Sequence, residues 1–556
     1  MKGRNGMKKV GVVVLLLLLV LSSLFGAEAI KRGGMLRVTP MKQGVLIQNF
    51  NPFSPNSLEV AVGCFYETLV FYNQGTGKFH PWLATAYEWS NDLKELTFTL
   101  RDGVVWNDGT PFTIQDVLFT MELGKKFPGL NIAPIWKQGL VDVVARTSNS
   151  VTFVFDRVNT TLIYRVADIF IVPRHIWKDV EDPLTWTGNL QPVGTGPFVY
   201  EAGSFTEQSF KVIKNPRYWQ IAPDGKPLPY IDGIVYISTT NEQVGLRLAR
   251  GEYDWAGYFV ANIDEVYVQA DPEHHKYWLP EGNLVYLNLN NLREPFNNYN
   301  VRYALNFALD NKEITRIMAS GAVPSSPGWV KTPFLYLAKE ALDKAGIEYD
   351  PDYTKELLEK EGYRLNAKGI YEKAGKALSF NLYVPTGWTD WIMGCEEIAR
   401  QLKEVGIEAI VTQAAWPSPY VDDYLYYGNY EMCLGISVTG AGPYFQLEYI
   451  AHPRAWAPLG ERSANYYGMR YKSEEIGRLL DSYTQEPLES KRDEIMKKAL
   501  SLFLKDSPSV PLFFNPTWYE YNTKLFVGWP SEEDPYCFPS PNGMHKLPLL
   551  LKVHLR

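Results

Sequence analysis

"LSFNLYVPTGWTDWIMGCEEIARQLKEVGIEAIVTQ" (residues 378–413) divides into three pieces of different periodicity. "LSFNLYVPT" alternates apolar and polar residues, as a strand does. "DWIMGCEEIARQLKEVG" carries Ile392, Ile398, Leu402 and Val405 as the apolar positions of a helix, and Gly406 ends it. "IEAIVTQ" is a second strand. Strand, helix and strand in so short a span predict a βαβ unit, with parallel strands and a right-handed crossover. The segment "YVDDYLYYG" (420–428) reads as a further helix and "EMCLGIS" (431–437) as a further strand. The fold class is therefore α/β, and in an open α/β sheet the ligand crevice lies beyond the carboxyl ends of the strands.

The loops at those ends are "TGWTDW" (386–391), "AAWPSPY" (414–420) and "VTGAGPYF" (438–445). Trp388, Trp391 and Trp416, with Tyr420 and Tyr444, are expected to gather along one rim. A single Trp is more often a packing residue, but Trp repeated in two consecutive polar loops points to binding. Trp255, in "GEYDWAG", suits cleft and core equally. The loop at 438–445 carries no charge. An aromatic, charge-poor cleft fits a pyranose, whose C–H face stacks on an indole while its hydroxyls seek amides and hydroxyls. Gln48, Asn49, Asn51, Asn241, Thr386, Thr389, Gln413 and Thr439 lie near the candidate rims, although any one of them also suits a turn or a cap. The candidate ligand-binding set is Asn49, Asn51, Asn241, Trp255, Trp388, Trp391, Trp416, Thr439 and Tyr444.

Working outward, the 556 residues exceed one hydrophobic core. Lys2, Arg4, Lys8 and Lys9 precede the apolar run Val10 to Leu21, and Ala27-Glu28-Ala29 fits a cleavage site, so residues 1–29 read as a signal peptide. That run is shorter than the roughly 20 residues needed to cross a bilayer, and no Cys at the cleavage region offers a lipid anchor. Loss of the four basic residues and Glu28 takes the formal charge from −7 to −10. A mildly acidic chain without a basic block argues against nucleic acid as a partner. Four Cys allow three pairings, and buried free thiols are as compatible as one bridge. Seven scattered His give no metal site, and no cofactor is expected. "ELTFTL" alternates as a strand, Thr113 suits the cap of "IQDVLFTMEL", and Val301, Ala304, Leu305, Ala308 and Leu309 share one face of a helix read across 300–321.

Seven pieces in order then carry a resemblance: "YETLVFYN" (66–73), the long run "HPWLATAYEW…TIQDV" (80–117), "VGTGPF" (193–198), "NPRYW" (215–219), "YIDGIVY" (230–236), "ARGEYDWA" (249–256) and "VRYALNFALDNKEI" (301–314). The chain resembles the large periplasmic solute-binding proteins of ABC importers, the family of the dipeptide, oligopeptide and nickel receptors. The resemblance implies a two-lobed, periplasmic-binding-protein-like fold with an extra inserted domain. It places domain I at 30–80, 190–288 and 520–556, domain II at 81–189 and domain III at 289–519. Domains I and III are expected to close over the ligand, with domain II not touching it. In the family's peptide receptors an Asp after the strand resembling "YEMCLGIS" pairs with the ligand's ammonium; here Val438 to Gly442 carry no acid. Burying an ammonium without an anion costs several kcal/mol, so the departure points to a neutral ligand. The expectation is a monomeric periplasmic receptor delivering a β-linked cello-, manno- or xylo-oligosaccharide to an inner-membrane permease, with a peptide receptor as the alternative. A glycoside hydrolase needs two flanking carboxylates, and the three loops hold only Asp390.

Overall fold

The computed structural model describes residues 30–40, 44–318, 323–324, 329–437, 442–466, 468–541 and 543–556. The strand Ser379–Pro385, the helix Thr389–Glu404 and the strand Glu408–Ala414 form the expected unit, the two strands parallel with Ser379 opposite Glu408 and Pro385 opposite Ala414. The helix buries Trp391, Cys395, Ile398 and Leu402 on the sheet. It stops because Gly406 adopts φ +74°, and a Cβ there would meet the Tyr371 ring at 2.7 Å. Met432–Ile436 adds a third parallel strand against Ser379–Pro385. Between them Tyr420–Leu425 forms only a wide, short helical turn.

These strands belong to a six-stranded sheet, in the order 323–324, 510–516, 281–289, 432–436, 379–385 and 408–414. A seven-stranded sheet takes the order 275–277, 520–522, 255–256, 35–38, 233–237, 209–214 and 198–200. The chain leaves the seven-stranded sheet after Tyr277, enters the six-stranded one at Glu281, and returns between Pro516 and Glu520. The two sheets thus form two lobes joined by two short crossings, 278–280 and 517–519. A four-stranded antiparallel sheet, in the order 84–89, 95–100, 150–155 and 140–145, forms a smaller unit inserted in the first lobe. Beside it Thr113 caps its helix as expected: its hydroxyl accepts from the Gln115 N–H at 3.3 Å, and Asp116 accepts from the Thr113 N–H at 2.8 Å.

One reading is corrected. The helix expected across 300–321 is two helices, Tyr299–Leu305 and Asn311–Met318. All five apolar residues of its face are buried, but polar side chains break the run. The Asn306 amide donates to Ser507 Oγ at 2.7 Å, and the Asp310 carboxylate accepts from the Lys312 N–H at 2.9 Å, starting the second helix. The four cysteines are buried free thiols.

The motifs at 66–73, 80–117 and 215–219 converge on Glu67, which is wholly buried. It accepts from Trp82 Nε1 at 2.6 Å, Tyr218 OH at 3.0 Å and Trp219 Nε1 at 3.0 Å. Burial nevertheless pushes its carboxyl up to about 7, the donors only moderating the shift. A folded pKa above the unfolded one means that its stabilisation is complete below pH 4.5 and lost as the pH rises through 7. Glu67→Gln does not titrate and turns an NH2 toward one of the donors. It is therefore expected to be less stable than the parent at pH 5, with the gap narrowing by about 3 kcal/mol by pH 8, as read from urea unfolding at each pH.

Candidate functional site

At the carboxyl ends of the parallel strands the indoles do gather. Trp388 lies 4.9 Å from Trp391 and 5.1 Å from Trp416, centroid to centroid, and Trp416 is 5.9 Å from Tyr420. Their roles divide by burial. Trp391 is 2% exposed and sits in the helix core, Trp388 is half-buried, and Trp416 is 39% exposed. Trp388 and Trp416 are tilted by 34° and form a nearly continuous aromatic face, backed by Trp391. Asp390, beside them, is buried at the start of its helix, and burial pushes its carboxyl up to about 6.

The other candidates lie elsewhere. Tyr444 is buried and stacks on Tyr483 at 5.0 Å, away from the indoles. Trp255 is buried in the seven-stranded sheet against Tyr519, and its Nε1 has no hydrogen-bond partner among the described residues. Asn49 serves a turn, accepting from the Asn51 N–H at 3.0 Å. Asn51 is fully buried, and its amide donates to the carbonyls of Pro183 at 2.8 Å and Trp186 at 2.9 Å, so its side chain ties the first lobe to the end of the inserted segment. Asn241 opens the helix Asn241–Ala249. Thr439, with the rest of 438–441, lies outside the described residues.

A second feature was not foreseen. A cavity of about 460 Å³ opens between the lobes, walled by Phe71, Tyr72 and His545 of the first lobe, Tyr164, Arg165 and Asp168 of the inserted unit, and Phe445 and Tyr449 of the second lobe. The helix Leu162–Ala167 buries Leu162, Ile163 and Val166, which leaves Tyr164 and Arg165 half-buried at the cavity. The helix Pro443–Ile450 starts with Pro at its first position, and Phe445 and Tyr449, four residues apart, share one face. The rings run on from one another, Tyr72 to Tyr164 at 5.0 Å and Tyr164 to Phe445 at 5.4 Å. Gln74 and Asn131 add polar groups to the wall. Asp168 is open to the cavity but enclosed by protein, and this burial pushes its carboxyl up to about 6 against the opposing pull of Arg165. Burial also pushes the His545 imidazole down to about 4, so it is neutral at pH 7. The i, i+4 aromatic pair at 445 and 449 was the one local signal for this cavity; the remaining walls come from distant segments. Among the described residues, no cluster of three His, Cys, Asp or Glu is placed to hold a metal ion.

The sequence matches the bacterial extracellular solute-binding proteins, family 5 Middle, over residues 78–457. The oligopeptide-binding protein of Bacillus subtilis is 24% identical over 459 residues, 79% of this chain and 80% of the relative. The nickel-binding periplasmic protein of Escherichia coli is 26% identical over 380 residues, 66% and 67% of the two chains. Among solved structures, a mannohexaose-bound periplasmic oligopeptide-binding protein of an ABC transporter from Thermotoga maritima superposes with a TM-score of 0.82 at 28% identity, covering 95% of this chain and 99% of its own. A second structure of a periplasmic oligopeptide-binding protein from that organism gives a TM-score of 0.85 at 27% identity, with coverages of 94% and 99%.

Proposed function

We propose a neutral oligosaccharide as the ligand, starting from the fact that this chain belongs to the bacterial extracellular solute-binding proteins of family 5. It is the substrate-binding component of an ABC transporter, and members of the family bind rather than transform their ligands. The observation that carries the sugar reading is the paired face of Trp388 and Trp416 at the carboxyl ends of the parallel strands. Two adjoining indoles, one of them well exposed, suit consecutive pyranose rings better than a peptide, whose ammonium demands an acid. The mannohexaose bound by the Thermotoga maritima protein supports the same class.

In this reading, domain I (30–80, 190–288 and 520–556) and domain III (289–519) close on the ligand about the two crossings. Aromatic faces hold the rings, and amides and backbone groups meet the hydroxyls. The closed shape presents the loaded receptor to an inner-membrane permease that distinguishes it from the open one. The receptor is exported on its signal peptide and works as a periplasmic monomer. No helix among the described residues is long and apolar enough to cross a membrane.

Titration of the ligand-free protein with β-linked di- to pentasaccharides and with di- to pentapeptides, followed by Trp fluorescence and thermal melting, tests this reading. One sugar series is expected to shift the emission and raise the melting temperature, with a stabilisation near 2.7 kcal/mol at a hundredfold excess over Kd. A response to peptides alone would overturn the sugar.

A further inference from the structure

We propose that Arg165 is the positioning residue through which the inserted unit takes part in closing the lobes, so that the chamber is complete only when its guanidinium spans the seam. The inference rests on the reading of binding by closure. It departs from the expectation that the inserted domain stands apart from the ligand.

Arg165 reaches from the inserted unit to the helix Pro443–Ile450 of the second lobe. Its Nη2 donates to Tyr449 OH at 3.2 Å and lies 3.6 Å from Glu448 Oε2, while the guanidinium carbon stands 5.7 Å from the centre of the Phe445 ring. Glu448, 9% exposed at its side chain, also accepts from Arg454 Nη2 at 2.9 Å, and Arg454 reaches Asp481 at 3.3 Å. His452 completes that end of the network, its Nε2 3.2 Å from Asp481. On the near side Asp168 acts electrostatically on Arg165. Beside the network a backbone bond crosses the same seam, from the Thr160 N–H to the Thr484 carbonyl at 2.8 Å. The contacts of Arg165 with Phe445, Glu448 and Tyr449 and the Thr160–Thr484 bond cross the seam, and opening the lobes there breaks them, while the Glu448–Arg454–Asp481–His452 network stays within the second lobe and holds Glu448 in place.

Position adds a second argument. Arg165 lines the aromatic chamber and also a separate space of about 540 Å³ beyond it, bounded by Arg157, Glu448 and Asp481. The side chain is thus a partition, with the aromatic chamber on one side and a charged vestibule on the other. The positive charge of Arg165 is held between Asp168 and Glu448. Among the described residues that line the chamber, the one permanent cation is thus already paired, and a neutral, hydroxyl-rich segment is the occupant that fits.

The test uses the full mature chain, labelled with a donor on one lobe and an acceptor on the other, and mannohexaose as the probe. Arg165→Met keeps the apolar stem and removes the fork; Glu448→Gln removes the charge it meets. Each is expected to lower the closed fraction, read by energy transfer with and without the probe. Each is also expected to raise the dissociation rate of mannohexaose roughly three- to tenfold, leaving association within twofold. The double variant is expected to be no worse than the more affected single one. A closed fraction and dissociation rate equal to the parent's would overturn the proposal. Should Arg165→Met not fold, Arg165→Lys, which keeps the charge without the planar fork, serves the same comparison. If mannohexaose fails to close the parent, the sugar reading falls, while the ligand-free comparison still decides the role of Arg165.

Discussion

The double variant Trp388→Ala, Trp416→Ala is expected to bind its oligosaccharide about a hundredfold more weakly than the parent while melting within a few degrees of it. An aromatic pair contributes about 0.5–1.5 kcal/mol beyond the area it buries, and two lost stacking faces reach about 2.7 kcal/mol, which is a factor of one hundred in Kd. The fold should tolerate the change because Trp416 is 39% exposed and Trp388 is half-buried. Trp391 makes the contrasting control. It is 2% exposed and packs in the second lobe's core, so Trp391→Ala is expected to cost about 3–5 kcal/mol of stability and to confound any binding measurement. Titration calorimetry beside thermal melting separates the two kinds of loss. Parental affinity in the double variant would remove the indole face from the ligand and leave the chamber of Phe445 and Tyr449 as the remaining site.

A large loss of stability is also expected at Gly194. A Cβ built there lies 2.0 Å from the Phe65 carbonyl oxygen, and one at Gly196 lies 2.2 Å from that of Cys64. The close approach is fixed on several sides. The Gly194 carbonyl accepts from the Asn107 N–H at 2.9 Å, the Gly196 N–H donates to Phe65 at 2.9 Å, and the Gly196 carbonyl accepts from Asn215 Nδ2 at 2.8 Å. Backbone meets backbone, so no side-chain rotation relieves the overlap. Gly194→Ala is expected to lose about 3 kcal/mol or more, at or beyond the upper end of the range for overpacking. Gly468→Ala, whose Cβ would meet, among the described residues, only the Tyr449 carbonyl at an ordinary 3.8 Å, is expected to change the urea midpoint little.

That glycine pair gives a physical reason for "VGTGPF" to stand among the seven pieces that together carry the resemblance. The pieces "YETLVFYN", "HPW", "VGTGPF" and "NPRYW" meet in space: Glu67 gathers Trp82, Tyr218 and Trp219, while Gly194 and Gly196 let the neighbouring backbones touch. The parallel unit at 378–413 was legible for another reason, since its periodicities and its terminating glycine are local. The site was less so. Trp388 and Trp416 could be placed from the strand ends alone, but the work of Asn51 is set by carbonyls at 183 and 186, more than a hundred residues away. Tyr444 was preferred to its neighbour, yet the cavity takes Phe445 and Tyr449, a difference of one step around a helix. The break after Leu305 likewise depends on Ser507, two hundred residues on. Where a polar side chain finds its partner across the fold, no local pattern announces it.

The placing of the strand Glu520–Asn522 has a consequence for how the protein is made. It pairs between Trp255–Ala256 and His275–Tyr277, and the latter strand has no other neighbour in its sheet among the described residues. The first lobe's sheet therefore stays unfinished until the entire second lobe has been synthesised. At about 5–20 residues per second, the edge at Trp255 waits roughly ten to fifty seconds for its partner. During that interval an unpaired strand carrying a buried indole is exposed, and the completing contacts are among the most non-local in the chain. The second lobe, continuous from Glu281 to Pro516, has no such dependence on later sequence. Its early folding would bring the two crossings together and present the last strand beside the gap it fills.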